Sequence, residues 1–200
     1  MGRVDLVVLF ADADAERFVT KLIERGIERS CLRNMNRKFV RDPMCDSHVA
    51  SKPTAALAPY LGQPTCRFLV VLDHHGSGYE AHPRERLEQD IVDHLVRAGV
   101  DGKQVAVIAF EPELEIALLP AWERVVALLA KKRDELPSTT IAMDAQDPKS
   151  SLAAALKYYR LKSGAALFAD LANELSLERL KTGVALGRIS QHLVDWFGMR

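Results

Sequence analysis

The chain has 200 residues, 48% of them hydrophobic, and its 27 Lys+Arg balance 27 Asp+Glu to a formal charge of zero. That length suits one domain, or one domain with an appendage, and the apolar content excludes a largely disordered chain. Zero net charge excludes a strongly basic architectural nucleic-acid binder and leaves only local basic patches to consider.

In chain order, three short β-branched runs bounded by turn residues read as buried parallel strands: Val4–Phe10, Arg67–Asp73 and Gln104–Phe110. After the first, Phe18, Leu22 and Ile23 make one apolar helix face, with Gly26 at its expected stop. Between the first two, Lys38-Phe39-Val40 is expected as a short edge strand and Thr54–Leu61 as a short helix, because a structureless loop of that length does not suit a compact domain. After the second, Leu87, Ile91, Val92, Leu95 and Val96 make another apolar face, closed by Gly99. After the third, Pro112 stands where a helix's first turn accepts it, and Pro120 breaks or kinks the segment beyond.

From about Leu136 the chain changes character. Pro137-Ser138-Thr139-Thr140 and Asp147-Pro148 are loop or turn chemistry, and beyond them only helical signals remain. Leu152, Leu156 and Tyr159 form one face, Leu167, Leu171 and Leu175 a second, and Leu186, Ile189, Leu193, Val194 and Phe197 a third. The expected architecture is an α/β fold with right-handed crossovers, residues 1–135 forming the α/β domain and 136–200 a helical extension packed on it.

The cysteines Cys31, Cys45 and Cys66 are odd in number and none is spaced C-x-x-C, which argues against a disulfide framework and a zinc ribbon. The first apolar run carries Asp5 and ends in acids, unlike a signal peptide, and nothing approaches the roughly 20 apolar residues of a membrane span. A cytoplasmic protein with no membrane partner is expected.

Ligands of open parallel sheets bind at the carboxyl ends of the strands, and there this chain gathers acids. The strand ends read Ala11-Asp12-Ala13-Asp14-Ala15-Glu16, then Asp73-His74-His75-Gly76-Ser77-Gly78-Tyr79-Glu80, then Glu111-Pro112-Glu113-Leu114-Glu115. Carboxylates brought together repel, and a hard divalent cation relieves that repulsion; placed there, it can polarise a phosphodiester and activate water. Asp14, Glu16 and Glu113 equally suit helix caps and first turns. Asp73 ends an otherwise apolar strand and points more to function. Glu111 and Glu115 would share one helix face, their charge compensated by a metal, an Arg or, most simply, the helix dipole.

Gly76-Ser77-Gly78 is neither a Walker motif nor G-x-G-x-x-G, so it reads as a turn before it reads as a phosphate cradle. His74, His75 and His82 crowd the same loop, either as solvated residues or with His75 replacing a carboxylate ligand, which would shift preference from Mg²⁺ towards Mn²⁺ or Zn²⁺. Basic residues concentrate in Arg25, Arg29, Arg33, Arg37, Lys38 and Arg41, and again in Lys157-Tyr158-Tyr159-Arg160-Leu161-Lys162; either group is a solvated face or a phosphate track. Cys45 and His48 are close in sequence, but no Asp or Asn is seen to fix a nucleophilic geometry, and no G-x-S-x-G exists.

The three acidic strand ends, with Phe10–Phe18, Val70–Gly78 and Glu111–Glu115 around them, resemble the TOPRIM fold of topoisomerases, primases and overcoming-lysogenization-defect nucleases over roughly residues 1–130. More narrowly, the chain, including its helical tail, resembles small TOPRIM-like proteins of unassigned function, some encoded beside bacterial restriction and phage-defence genes. The resemblance implies a catalytic Glu just after the first strand, where this chain has Ala11 with Asp12 beside it. It implies an Mg²⁺-binding Asp-x-Asp, of which Asp73 is the first acid and His75 stands at the second, and a late acid matched by Glu115.

The resulting expectation is Mg²⁺- or Mn²⁺-dependent phosphodiester hydrolysis of nucleic acid in a bacterial defence or DNA-maintenance system. Asp73 would hold the metal, Asp12 act as ligand or base, Glu115 complete the site and His75 assist, while Arg33, Arg37, Lys38 and Arg41 contact nucleic acid. The replaced carboxylates motivate one alternative, a catalytically degenerate docking subunit of a multi-protein defence complex. Gly76-Ser77-Gly78 motivates another, a nucleotide or phosphate sensor.

Overall fold

Strand β1 (Leu6–Phe10) is buried along its whole length, which requires cover on both faces of its sheet. In the computed structural model, which describes residues 3–29, 31–138 and 140–199, that sheet has four parallel strands in the order β2-β1-β3-β4. The others are β2 (Arg37–Arg41), β3 (Arg67–Asp73) and β4 (Val105–Phe110).

The pleat splits each strand between two cores. Leu6, Val8 and Phe10, with Leu69, Val71, Ala106, Ile108 and Phe110, pack on one face against α1 (Ala13–Glu28), a 3₁₀ segment (Leu114–Ala121), α5 (Trp122–Lys131) and the tail helices. The tail helices are α6 (Pro148–Tyr158), α7 (Ala165–Glu174), α8 (Leu177–Leu180) and α9 (Val184–Phe197). Val7, Leu9, Phe68, Val70, Leu72, Val105, Val107 and Ala109 pack on the other face, against α2 (Cys45–Ser51), α3 (Pro53–Leu57) and α4 (Arg84–Arg97). The α/β architecture with a helical extension on the sheet is the expected one.

The tail is tied to the sheet by specific contacts. Phe18 of α1 meets Phe168 of α7 edge-on, with centroids 6.0 Å apart. The Arg25 guanidinium donates to the carbonyls of Ala172 and Leu175 at the C-terminal end of α7, so this member of the basic run serves a helix cap. Among the described residues no helix is long and apolar enough to cross a membrane.

Several boundaries differ from the sequence reading. Helix α1 continues through Gly26 to Glu28; Gly26 makes room for Leu32, whose Cδ1 would lie 3.2 Å from an added Cβ. Thr54–Leu61 is divided between α3 and a 3₁₀ turn at Ala58–Tyr60, and α2 before it was not anticipated. Pro112 does not open a helix. Its carbonyl accepts the His75 N–H at 3.0 Å, which keeps it in the loop, and the 3₁₀ segment starts only at Leu114. Val96 and Val194, assigned to buried faces, are each 45% exposed. Thr139 lies outside the described residues.

Candidate functional site

Chain order reverses direction across β1: β2 lies on one side of it, β3 on the other. In open parallel sheets this switch point is where the loops part and leave a crevice. Two predicted acids flank it. Asp12 follows β1 as the N-cap of α1, its Oδ1 accepting the N–H groups of Asp14 (2.7 Å) and Ala15 (2.9 Å). Asp73 ends β3 in the row of Leu69 and Val71, on the face covered by α1 and the tail.

The crevice is a pocket of about 320 Å³ lined by Asp12, Ala13, Asp14, Asp46, Asp73, Leu114, Glu115 and Lys149. Asp12, Asp73 and Glu115, proposed together from the sequence, are thus brought to one site. Two further members were not anticipated. Asp46, in the first turn of α2, accepts the Asp73 N–H through Oδ1 at 2.8 Å. Lys149, in the first turn of α6, is the cation of the lining, and its Nζ donates to Glu113 Oε1 at 2.9 Å. The helical tail therefore contributes to the pocket directly.

Five carboxyls facing one ammonium make ionisation unfavourable. Burial, and then the neighbouring carboxyls Asp46, Asp12, Glu115 and Glu113, push the Asp73 carboxyl well above the ordinary carboxylate range. Burial is also the main cause of the upward shifts of Asp14, Asp46 and Glu115. Lys149 holds its proton more tightly than usual, through its bond to Glu113 and the charges of Glu113, Glu115 and Asp73. Asp73 Oδ1 is buried without a hydrogen-bond partner among the described residues, an uncommon condition for a polar atom. Among the described residues, no three His, Cys, Asp or Glu side chains are grouped so as to hold a metal ion.

Asp12 carries two roles that substitution can separate. Asp12→Ala is expected to lower stability by about 1 kcal/mol through loss of the cap. Asp12→Asn keeps an acceptor for the same N–H groups and should melt close to wild type while removing the charge. Thermal melts of the two variants check this.

Other candidate residues lie outside the pocket lining. The His75 side chain is 67% exposed, with Nδ1 3.9 Å from Glu113 Oε1. Glu111 and Glu115 do not share a helix face: Glu111 sits 3.7 Å from Arg84 Nη1, whereas Glu115 is buried in the 3₁₀ segment. Gly76 and Gly78 adopt φ values of +88° and +85°, and their N–H groups form an anion cradle that the chain fills itself, with Glu80 Oε1 at 2.7 and 3.2 Å. The sequence reading preferred a plain turn to a cradle here; Glu80 just beyond it was the signal for the cradle's occupant.

The basic group is spread along edge strand β2. Arg41 is paired with Phe10 in register, at the rim, and lies 3.3 Å from Glu16. Arg37 is at the opposite end of the strand, Lys38 is exposed, and Arg33 lies over the Phe197 ring of α9 at 5.2 Å. Contrary to the sequence reading, an Asp does orient His48: its Nδ1 donates to Oδ2 of buried Asp42 at 2.8 Å, and Asp42 Oδ1 accepts the Met44 N–H.

No protein-family model and no curated protein matches the chain. Among solved structures it is similar to the C-terminal region of the Burkholderia pseudomallei OLD protein, at 12% identity and a TM-score of 0.40, over 98% of this chain and 89% of that one. A likeness of that depth carries no argument about activity.

Proposed function

We propose that the strand-end pocket takes a divalent cation of the Mg²⁺ or Mn²⁺ class and that the chain is a TOPRIM-like phosphodiesterase acting on nucleic acid in a bacterial defence or DNA-maintenance system. The observation that carries this reading is Asp73 Oδ1, buried and without a partner in a pocket whose other carboxyls oppose its ionisation. A divalent cation converts that electrostatic cost into binding free energy. The donors fit such an ion chemically, being carboxylate oxygens throughout, and Asp73 and Glu115 would hold it, with water completing its coordination. When bound, it would polarise a phosphodiester and ease deprotonation of water.

The chain's own groups divide the remaining work. Asp46 anchors the Asp73 amide and so fixes where its carboxyl projects. Lys149 brings positive charge to a non-bridging phosphate oxygen. Asp12 Oδ2, free of the cap, takes a proton from the attacking water. Glu115 completes the carboxylate set beside Asp73, and the leaving oxygen takes its proton from water.

Titration calorimetry with Mg²⁺ and Mn²⁺, paired with cleavage assays on single- and double-stranded DNA and RNA, tests the reading. Saturable binding should be lost in Asp73→Asn, and cleavage should fall by about 100-fold or more. Cleavage that survives Asp73→Asn unchanged would sink it. A second reading, a degenerate docking subunit, is favoured by two observations: Ala11 is buried in the core at the family's glutamate position, and His75 is turned to solvent. It predicts co-purification with a neighbouring gene product, a complex intact in Asp73→Asn, and no metal-dependent cleavage.

A further inference from the structure

The chain is charge-balanced, yet residues 148–169 carry Lys149, Lys157, Arg160 and Lys162 and no acid at all. Helix α6 begins this stretch at the carboxylate pocket, where Lys149 forms part of the lining. Its buried face is Leu152, Ala155 and Leu156. Its exposed face runs in two parallel rows at a spacing of four, Lys149–Ala153–Lys157 and Ser150–Ala154–Tyr158. The lysines are about 12 Å apart along the axis, and only small side chains stand between them, so an extended chain can approach the helix closely.

The far end of the track is built rather than loose. Tyr158 is 56% exposed, and its ring is braced edge-on against buried Tyr159, with centroids 4.9 Å apart. The Tyr159 hydroxyl accepts the Ser138 N–H at 2.8 Å. Arg133 donates to the carbonyls of Tyr159 and Arg160, fixing the turn in which Arg160 adopts φ +52°. Among the described residues the ion pairs do not include Lys157, Arg160 or Lys162, so these charges are available to a ligand.

We infer that the exposed face of α6 and the turn that follows it are a track for a single-stranded segment of nucleic acid, with phosphates at Lys157, Arg160 and Lys162 and a base stacked on Tyr158, leading to the pocket at Lys149. An acidic peptide would match the cations but would leave the presented aromatic ring unused, whereas cations around an exposed ring are the combination that single strands engage. The inference rests on the proposed function only for the direction of the track; binding itself requires no cleavage.

The test is fluorescence anisotropy of a labelled oligothymidylate about 12 nucleotides long, a typical site size, with the full chain in EDTA. Tyr158→Ala should weaken binding about 5- to 150-fold, and Tyr158→Phe should retain it. Lys157→Gln with Lys162→Gln should flatten the dependence of log K on log salt by about 1.4, or roughly 0.7 per lost phosphate contact. These positions are exposed, and circular dichroism melts matching wild type verify that the variants fold. Wild-type affinity and salt slope in both variants, no binding by wild type, or displacement by poly-glutamate at equal charge concentration would each overturn the inference. Loss of binding in these variants without cleavage by any form would support the track and sink the phosphodiesterase. Asp73-dependent cleavage with α6 variants binding normally would do the reverse.

Discussion

Asp73→Asn is expected to make the metal-free protein more stable near neutral pH while abolishing its response to divalent cations. The Asp73 carboxyl is held well above the ordinary range by burial and by Asp46, Asp12, Glu115 and Glu113. Below about pH 4, folded and unfolded chains both carry the proton and the residue costs little. As pH rises, the unfolded chain releases its proton freely and the folded chain does not. Wild type therefore loses stability relative to Asp73→Asn until the folded pKa is passed, after which the gap is constant. Asp14, Asp46 and Glu115 are displaced in the same direction and add to the loss within wild type. Relief of strain of this kind commonly yields about 0.5–2 kcal/mol, and urea unfolding in EDTA between about pH 4 and pH 8 reads it. Cation present at about 100 times its Kd should then stabilise wild type by about 2.7 kcal/mol and the variant not at all. Equal stabilities at all pH values would mean that Asp73 is not held against its ionisation.

Legibility in the sequence is set by how far apart interacting residues lie. The buried strands are visible because continuous β-branched runs encode burial on both faces locally, as in Arg67–Asp73, whose bounds agree with the structure. Asp12 and Asp73 are visible for the same reason: each acid terminates an apolar run. Asp46 and Lys149 are not, because their meaning lies in partners distant in sequence. Asp46 is 27 residues from the amide it holds, and Lys149 is 36 from Glu113. Neither interrupts a periodic pattern. Glu115 is legible as part of an acidic strand end, yet its spacing from Glu111 suggests a shared helix face that does not form. The carbonyl of Pro112 bonds the β3–α4 loop, and nothing local in the sequence announces that.

The largest loss of stability is expected from Arg188→Ala, at the seam where the tail meets the sheet. Strand β4 is an outer strand, and its free N–H and C=O groups need cover. Glu88 of α4, only 7% exposed, supplies part of it by accepting the Ala109 N–H through Oε1 at 3.0 Å. The same carboxylate receives Arg188 of α9 in two bonds, Nη1 to Oε1 at 2.8 Å and Nη2 to Oε2 at 2.7 Å, and Nη2 also reaches the Val107 carbonyl at 3.4 Å. A buried carboxylate left without a partner costs about 3–5 kcal/mol; because Arg188 is partly solvated and Arg84 Nε still stands 3.8 Å from Glu88 Oε1, no more than about 3 kcal/mol is the expected figure. For a chain of this length that lowers Tm by about 6–12 °C. Glu88→Gln should cost less, since the amide oxygen still takes the Ala109 N–H and the freed guanidinium can hydrate. Glu88→Gln combined with Arg188→Met removes both charges and should recover most of the loss, giving a coupling energy of about 2 kcal/mol in the double-mutant cycle. Urea midpoints of the four proteins measure it. Additive single effects would mean that α9 is held by its apolar residues Leu186, Ile189, Leu193 and Phe197 alone, and that the ion pair merely lies over the edge of β4.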